Sequence, residues 1–479
     1  MKRLPSPRGL SLNLTAALVG IGVLSGCASV SLEQNLARVN QETAAFSGGE
    51  VQLSRDASER KDRDLAASQL LRSPLGQKEA VQLALLNSAS LQALLAQGWA
   101  EAAVGAQSGR ISNPAFSFER MVQGDELELG RALSFGLLDV LTLPVRQNLA
   151  RQRIEQAQLQ LSGQVIDHVT RVRQAWVRAV AAQQTLNYAQ QIFEAAEASA
   201  ELARRMQAAG NFNRLTRARE QAFYADAATR LATAQHQVTS TREELVRLVG
   251  LDEAQAKLLQ LPQRLPDLPK EALDANAIGS MATRTRLDIQ LALNGINSAA
   301  KAQGITKITS FTDIELIARR NTTFDNASGR RSTARGFEVD IRLPIFDWGD
   351  MQRSAWNART IAAAHNLEAT VRSAGSNLRE SYSAYRTAYD IARHHRDEVV
   401  PIRKVISEEN QLRYNGMIIG VFELLADAKD QVSTVIAAIN AEQQFWLADA
   451  ALKASVIGRP TTTAIAPAAT AAPSAAAPH

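Results

Sequence analysis

The sequence predicts a mainly α fold with a small β part: long coiled-coil helical hairpins plus four short β-strands, the whole plan internally duplicated. Three observations carry this. Apolar residues step 4-3-4-3 along extended stretches. Two pairs of short segments alternate with a period of two. The same order of segments occurs twice, about 200 residues apart. The composition agrees: 46% of the 479 residues are hydrophobic but only 5% are aromatic, the bias of long helices with small contact residues. The formal charge of +5 falls to +2 without Lys2, Arg3 and Arg8, too little to point to a nucleic-acid partner. A single cysteine excludes an intrachain disulfide and a Cys-based metal site.

Residues 1–26 read as a secretory signal, with Lys2, Arg3 and Arg8 ahead of the apolar Leu12–Leu24 and a small-residue end. The only cysteine closes Leu24-Ser25-Gly26-Cys27. That segment resembles the bacterial lipobox, which implies an acylated Cys27 as the new N-terminus. Ala28 in place of Asp then implies sorting to the outer membrane. An ordinary cleaved signal with an incidental cysteine is the alternative. Residues 27–75 form an N-terminal extension, and Pro74 marks entry to the first half.

Each half opens on an Ala- and Gln-rich helix, over 78–108 and 271–303. A strand pair follows. Phe337, Val339, Ile341 and Leu343 face one side while Glu338, Asp340 and Arg342 face the other. Leu133, Phe135, Leu137, Leu141 and Leu143 are the counterparts in the first half. Weaker partner strands carry Phe116, Phe118 and Val122, and Ile314, Leu316 and Ala318. Between the strands lie Gln123–Leu129 and Arg320–Arg335, a longer and basic loop, and the strand pairs read as hairpins with exposed polar tips.

After each strand pair comes a very long helix. Val165, Val169, Val172, Trp176, Ala179, Gln183 and Leu186 make one seam; Leu378, Tyr382, Tyr385, Tyr389 and Ala392 make the other. Each helix halts at a glycine turn and a second helix returns, the later one with Leu425, Ala428, Val432, Val435 and Ile439 as its seam. The duplication aligns Leu141-Thr-Leu-Pro144-Val with Ile341-Arg-Leu-Pro344-Ile, and Gly210-Asn-Phe-Asn-Arg-Leu with Gly416-Met-Ile-Ile-Gly-Val. It also aligns Leu248-Val-Gly250 with Val456-Ile-Gly458, and the helix of Asn87-Ser-Ala-Ser-Leu91 with that of Arg284-Thr-Arg-Leu-Asp288. The halves span 76–258 and 273–459, joined by a linker over 259–272 with Pro262, Pro266 and Pro269; an Ala/Pro-rich tail over 460–479 is expected to be disordered.

Four strands cannot close a barrel alone, and open edges are costly in lipid. Alternating apolar and charged faces suit a wall between lipid and water, so several chains pooling strands would close it. The chain resembles the outer-membrane factor family of TolC-like proteins over about residues 75–458. The resemblance rests on Cys27, the strand-to-helix junctions at Pro144 and Pro344, Leu343-Pro-Ile-Phe-Asp-Trp-Gly349, and the hairpin tips. It implies four transmembrane β-strands per chain in a trimeric α/β barrel. It also implies a homotrimer that sits in outer-membrane lipid, docks a periplasmic adaptor (membrane fusion protein) and is served by an inner-membrane pump. The function implied is a passive duct of a tripartite efflux or type I secretion system for small molecules, metal ions or polypeptides.

By the same resemblance the adaptor-docking tips are Gly210, Asn211, Phe212 and Asn213, and Gly416, Met417, Ile418, Ile419 and Gly420. The periplasmic gate candidates are Glu423, Tyr414 and Asp427. The family's second acidic position falls on Ala426, beside Asp427, and its bracing arginine position falls on Ile419. A solvated helix residue is the other reading of Glu423. The other function considered is a lipid-anchored periplasmic adaptor or coiled-coil scaffold, for which one hairpin flanked by β-rich domains is the expected pattern. No catalytic constellation, cofactor motif or metal spacing appears in the sequence; His394 and His395 point about 100° apart on a helix. The group Arg319, Arg320, Arg330, Arg331 and Arg335 lacks interleaved aromatics and reads as a charged hairpin, with no nucleic acid as partner. Trp348 reads equally as an interfacial anchor or as core packing.

Overall fold

Backbone hydrogen-bonding demand explains the β part. The computed structural model describes residues 31–276, 278–279, 286–309, 313–343 and 345–461, without side chains for 305–309. The signal segment with Cys27, the junction residue Pro344 and the tail beyond 461 lie outside the described residues. The chain divides into two compact units. One gathers Ala96–Leu161, Ile289–Val371 and the described residues up to Val39; the other gathers Asn40–Leu95, Ser162–Asp288 and the chain from Arg372.

The first unit holds one four-stranded antiparallel sheet in the order β1-β2-β3-β4. Its strands are β1 Ala115–Gln123, β2 Glu126–Gly136, β3 Ile314–Asp325 and β4 Arg330–Ile341. Both expected loops prove to be strand for most of their length. Gln123 pairs with Glu126, so the first turn is Gly124-Asp125 alone. Asp325 pairs with Arg330, which leaves 326–329 as the second turn. Charged side chains made these segments resemble loops, yet the amides and carbonyls that face a neighbouring strand gain ladder partners by continuing the strand.

Of the helices α1 Leu32–Ser47, α2 Ala57–Leu70, α3 Gln77–Asn87, α4 Ala89–Gln107 and α5 Leu137–Ala208, the last begins directly after β2. Leu137, Leu141 and Leu143 are therefore helical, not strand. Asp139 in the first turn suits the helix dipole, and Arg146 pairs with it at 2.6 Å. Arg146 also donates to the carbonyls of Ser108 (3.4 Å) and Arg110 (3.1 Å), fastening the helix start to the chain after α4. Pro144 consequently lies inside α5 rather than at a strand-to-helix junction. In the second half β4 ends at Ile341 and the next helix starts at Asp350, with Gly349 immediately before it.

In the second unit the expected seams supply much of the core, although Gln183, Leu186, Leu378, Tyr382, Leu425, Ala428, Val432 and Val435 are only half-buried. Val165, Val169, Val172 and Trp176 of α5 are buried, and the Trp176 indole donates to the Leu75 carbonyl at 2.7 Å. Further helices are α6 Arg214–Val249, α7 Glu253–Leu258, α8 Leu287–Thr309, α9 Asp350–His394, α10 Val400–Asn415 and α11 Val421–Val456. Residues 271–274, expected to be helical, belong to the extended linker instead. The linker is held because Tyr389 donates to the Pro269 and Lys270 carbonyls (3.1 and 2.9 Å), Tyr382 to Leu273 (3.3 Å) and Trp446 to Pro266 (3.1 Å). Tyr385, Tyr389, Ala392 and Phe445 cluster beneath it with Leu268.

Between α9 and α10 the backbone widens into one π turn, His395–Val399, where the Val400 amide reaches back to the His395 carbonyl. Pro401 follows at once. A proline ring clashes with the carbonyl four residues earlier, and a π turn relieves that clash while the helical run continues.

The duplication is visible as two matched closures. A Cβ on Gly250 would lie 2.7 Å from the Asn87 carbonyl oxygen and the Ser88 Cα, and one on Gly458 would lie 3.0 Å from the Asp288 nitrogen. The Asn87 side-chain Nδ2 donates to the Gly250 carbonyl at 2.7 Å, and the Leu287 backbone amide donates to the Ile457 carbonyl at 2.9 Å. Buried Arg286 adds bonds to Asp288 and to the Ser455 carbonyl in the later closure.

Candidate functional site

Register sorts the sheet's side chains onto two faces, because directly paired residues share a face and neighbours along a strand alternate. One face carries Phe116, Leu133, Ala318 and Phe337 in one cross-strand row, then Phe135, Leu316 and Val339, then Ile314 and Ile341. The opposite face carries every carboxylate of the four strands: Glu119, Glu126, Glu128, Glu315, Asp325, Glu338 and Asp340. There Arg319 pairs with Glu338 at 2.7 Å and the Asn321 amide donates to Glu128 at 2.8 Å. The apolar exposure continues past β4 through Leu343, Ile345, Phe346 and Trp348, and Trp348 is exposed rather than packed into a core. Strands β1 and β4 are the two sheet edges.

The tips in the second unit are two turns of one design. After α5 the Asn211 amide donates to Met206 O (2.9 Å) and the Gly210 amide to Gln207 O (3.0 Å), with Gly210 at φ +78°. This is a Schellman cap. Asn213 then caps α6, its Oδ1 accepting from the Thr216 amide at 2.7 Å. After α10 the Ile418 amide donates to Arg413 O (2.9 Å) and the Met417 amide to Tyr414 O (3.0 Å), with Met417 at φ +57°. Gly210 thus matches Met417, and Asn213 matches Gly420, the residue before α11. The sequence alignment of Gly210 with Gly416 is one residue out of register. It failed because the left-handed position, where glycine is the usual signal, carries methionine in the second half.

The two tips touch: the rings of Phe212 and Phe422 lie 4.7 Å apart, tilted by 42°. Behind them Ile192, Ala196 and Ala227 form a small core against Phe223, Tyr224, Val432 and Ile436, so the two hairpins pack on each other. Met417 is 93% exposed and Ile418 is also exposed, placing bare apolar side chains on the second turn. Tyr414 precedes that turn and is exposed.

Glu423 is exposed in the first turn of α11, where a carboxylate suits the helix dipole. Asp427 lies one turn further along the same side of α11. It is only 8% exposed, and its Oδ2 has no hydrogen-bond partner among the described residues. Ala426 is exposed. The structure therefore presents Glu423 outward and covers Asp427. Sequence reasoning missed the Phe212–Phe422 contact and the strand placement of the arginines. The turn signals Gly124-Asp125 and Asn326…Gly329, read as hairpin turns, were the available clue to the latter.

Among the described residues no helix is long and apolar enough to cross a membrane, and no group of three or more His, Cys, Asp or Glu is placed to hold a metal ion. No protein-family model matches the sequence, and no curated protein matches it. Solved structures do. The CmeC outer membrane channel of Campylobacter jejuni superposes with a TM-score of 0.66 at 14% identity, over 86% of this chain and 90% of that one. A membrane protein from Pseudomonas aeruginosa gives 0.65 at 20% identity, over 85% and 91%. The open-state MtrE outer membrane channel of Neisseria gonorrhoeae gives 0.63 at 19% identity, over 83% and 91%. The chain, mainly α with one small antiparallel sheet, thus has the fold of the TolC-like outer-membrane channels.

Proposed function

We propose that the chain is one subunit of a homotrimeric outer-membrane channel, a passive duct whose energy comes from an inner-membrane pump coupled through a periplasmic adaptor. One observation carries the reading: a four-stranded sheet with two open edges that places all its carboxylates on one face and apolar rows on the other. In water such edges invite aggregation, and in lipid their unpaired amides and carbonyls are prohibitive. Pairing β4 of one copy with β1 of the next satisfies both, and three copies make a twelve-stranded barrel of the even-numbered type that membranes accept. The acidic face then lines the water and the apolar face meets lipid.

The exposed Met417 and Ile418 and the capped Gly210–Asn213 turn fit the adaptor contact, and Glu423, with Tyr414 nearby in sequence, fits the periplasmic gate. Acylation at Cys27 would hold the trimer to the membrane, since each buried CH₂ contributes about 0.8 kcal/mol. Efflux substrates of small molecules or metal ions, or secreted polypeptides, all suit a duct without chemistry of its own. The test is conductance of the full-length protein in planar bilayers. A stable conductance that prefers cations supports the duct, and Glu423→Ala is expected to weaken that preference. Protein that inserts and never conducts would overturn it.

A further inference from the structure

The apolar face of the sheet carries a feature that a lipid-facing wall does not need. Arg131, Arg320 and Arg335 stand in direct cross-strand succession on that face. Arg120 and Arg331 stand on the same face nearer the hairpin turns, with Arg331 over the Phe324 ring at 5.3 Å. No carboxylate of the four strands shares this face. Like charges directly opposite across strands destabilise a sheet. On the other face the same sheet does neutralise an arginine, pairing Arg319 with Glu338.

Position along the strands explains the difference. The triple-arginine row borders the apolar rows on their hairpin-turn side, about 20 Å along β4 from Ile341 at ~3.4 Å per residue. The turns lie at the end of the sheet away from its connections to helix. If those helices enter the periplasm, the arginines meet the outer leaflet at head-group level, where a lipid-facing arginine costs far less than at the midplane. Guanidinium forks match phosphate oxygens in a bidentate way.

We propose that Arg131, Arg320 and Arg335, with Arg120 and Arg331, bind the phosphates of the phosphorylated glycolipid in the outer leaflet around the barrel. This rests on the duct reading above. The test uses the full-length trimer in nanodiscs of phosphatidylcholine doped with bisphosphorylated lipid A, with dephosphorylated lipid A or with phosphatidylglycerol. Retained lipid is counted by native mass spectrometry, and conductance is recorded from the same preparation. Selective retention of bisphosphorylated lipid A is expected, falling on the order of 10-fold or more in Arg131→Gln/Arg320→Gln/Arg335→Gln.

Equal retention of dephosphorylated lipid A would overturn the phosphate contact without recourse to any variant. Equal retention of phosphatidylglycerol would overturn the choice of glycolipid, and an unchanged variant would overturn the arginine row. A trimer that conducts yet retains no lipid A defeats this inference alone. A preparation that never conducts defeats the duct itself.

Discussion

Met417 occupies a backbone conformation that its first-half counterpart meets with Gly210. A left-handed φ costs a residue with a Cβ roughly 1–2 kcal/mol, and the 93% exposed side chain of Met417 gains no packing within the chain in return. Met417→Gly is therefore expected to steady the turn by about 1 kcal/mol. Hydrogen exchange at the Ile418 amide, bonded to Arg413 O at 2.9 Å, should slow by about fivefold. Exchange that is unchanged or faster would mean the turn is not strained. The same variant should weaken adaptor docking if the methionine is the contact.

His168 is the other informative residue. It is 3% exposed, and burial first, then the nearby Arg171 charge, lowers its pKa to about 4. The folded chain thus keeps His168 neutral where the unfolded chain binds a proton. Stability from this site is complete above pH 6.5 and is lost as pH falls toward 4. At ~1.36 kcal/mol per pKa unit the loss approaches about 3 kcal/mol. Thermal unfolding from pH 7 to 4 should show this slope, and His168→Leu should flatten it. An identical slope in the variant would assign the effect elsewhere.

Among the elements, those with a sustained period were legible and those with brief or mixed patterns were not. The Val165–Trp176 and Tyr385–Ala392 stretches of the seams follow one heptad rule over several turns and emerge as buried core. Leu137, Leu141 and Leu143 satisfy a period of two, while Leu137 and Leu141 also satisfy a helical spacing of four; the Asp139–Arg146 ion pair at 2.6 Å is a tertiary detail that favours helix. Contacts between hairpins leave no periodic trace at all, which is why Phe212 and Phe422 were not paired from sequence. Their 4.7 Å stack is expected to couple the tips by about 1 kcal/mol in a Phe212→Ala/Phe422→Ala double-mutant cycle. Local opening of α6 and α11, followed by hydrogen exchange, is the readout; additive effects would show the rings to be independent.

For the whole molecule, duplication was legible because each half closes on a glycine that accepts close backbone approach, Gly250 against Asn87 and Ser88 and Gly458 against Asp288. Charge segregation on the sheet was not legible until register was known, since a shift of one residue exchanges the faces. Once register is fixed, the sheet describes a wall with wet and dry sides and two unfinished edges. In the proposed trimer those edges are completed by other copies of the chain. Light scattering of the detergent-solubilised full-length protein measures this directly. Particles of three chains are predicted. A monodisperse single chain that keeps its strands would contradict the account.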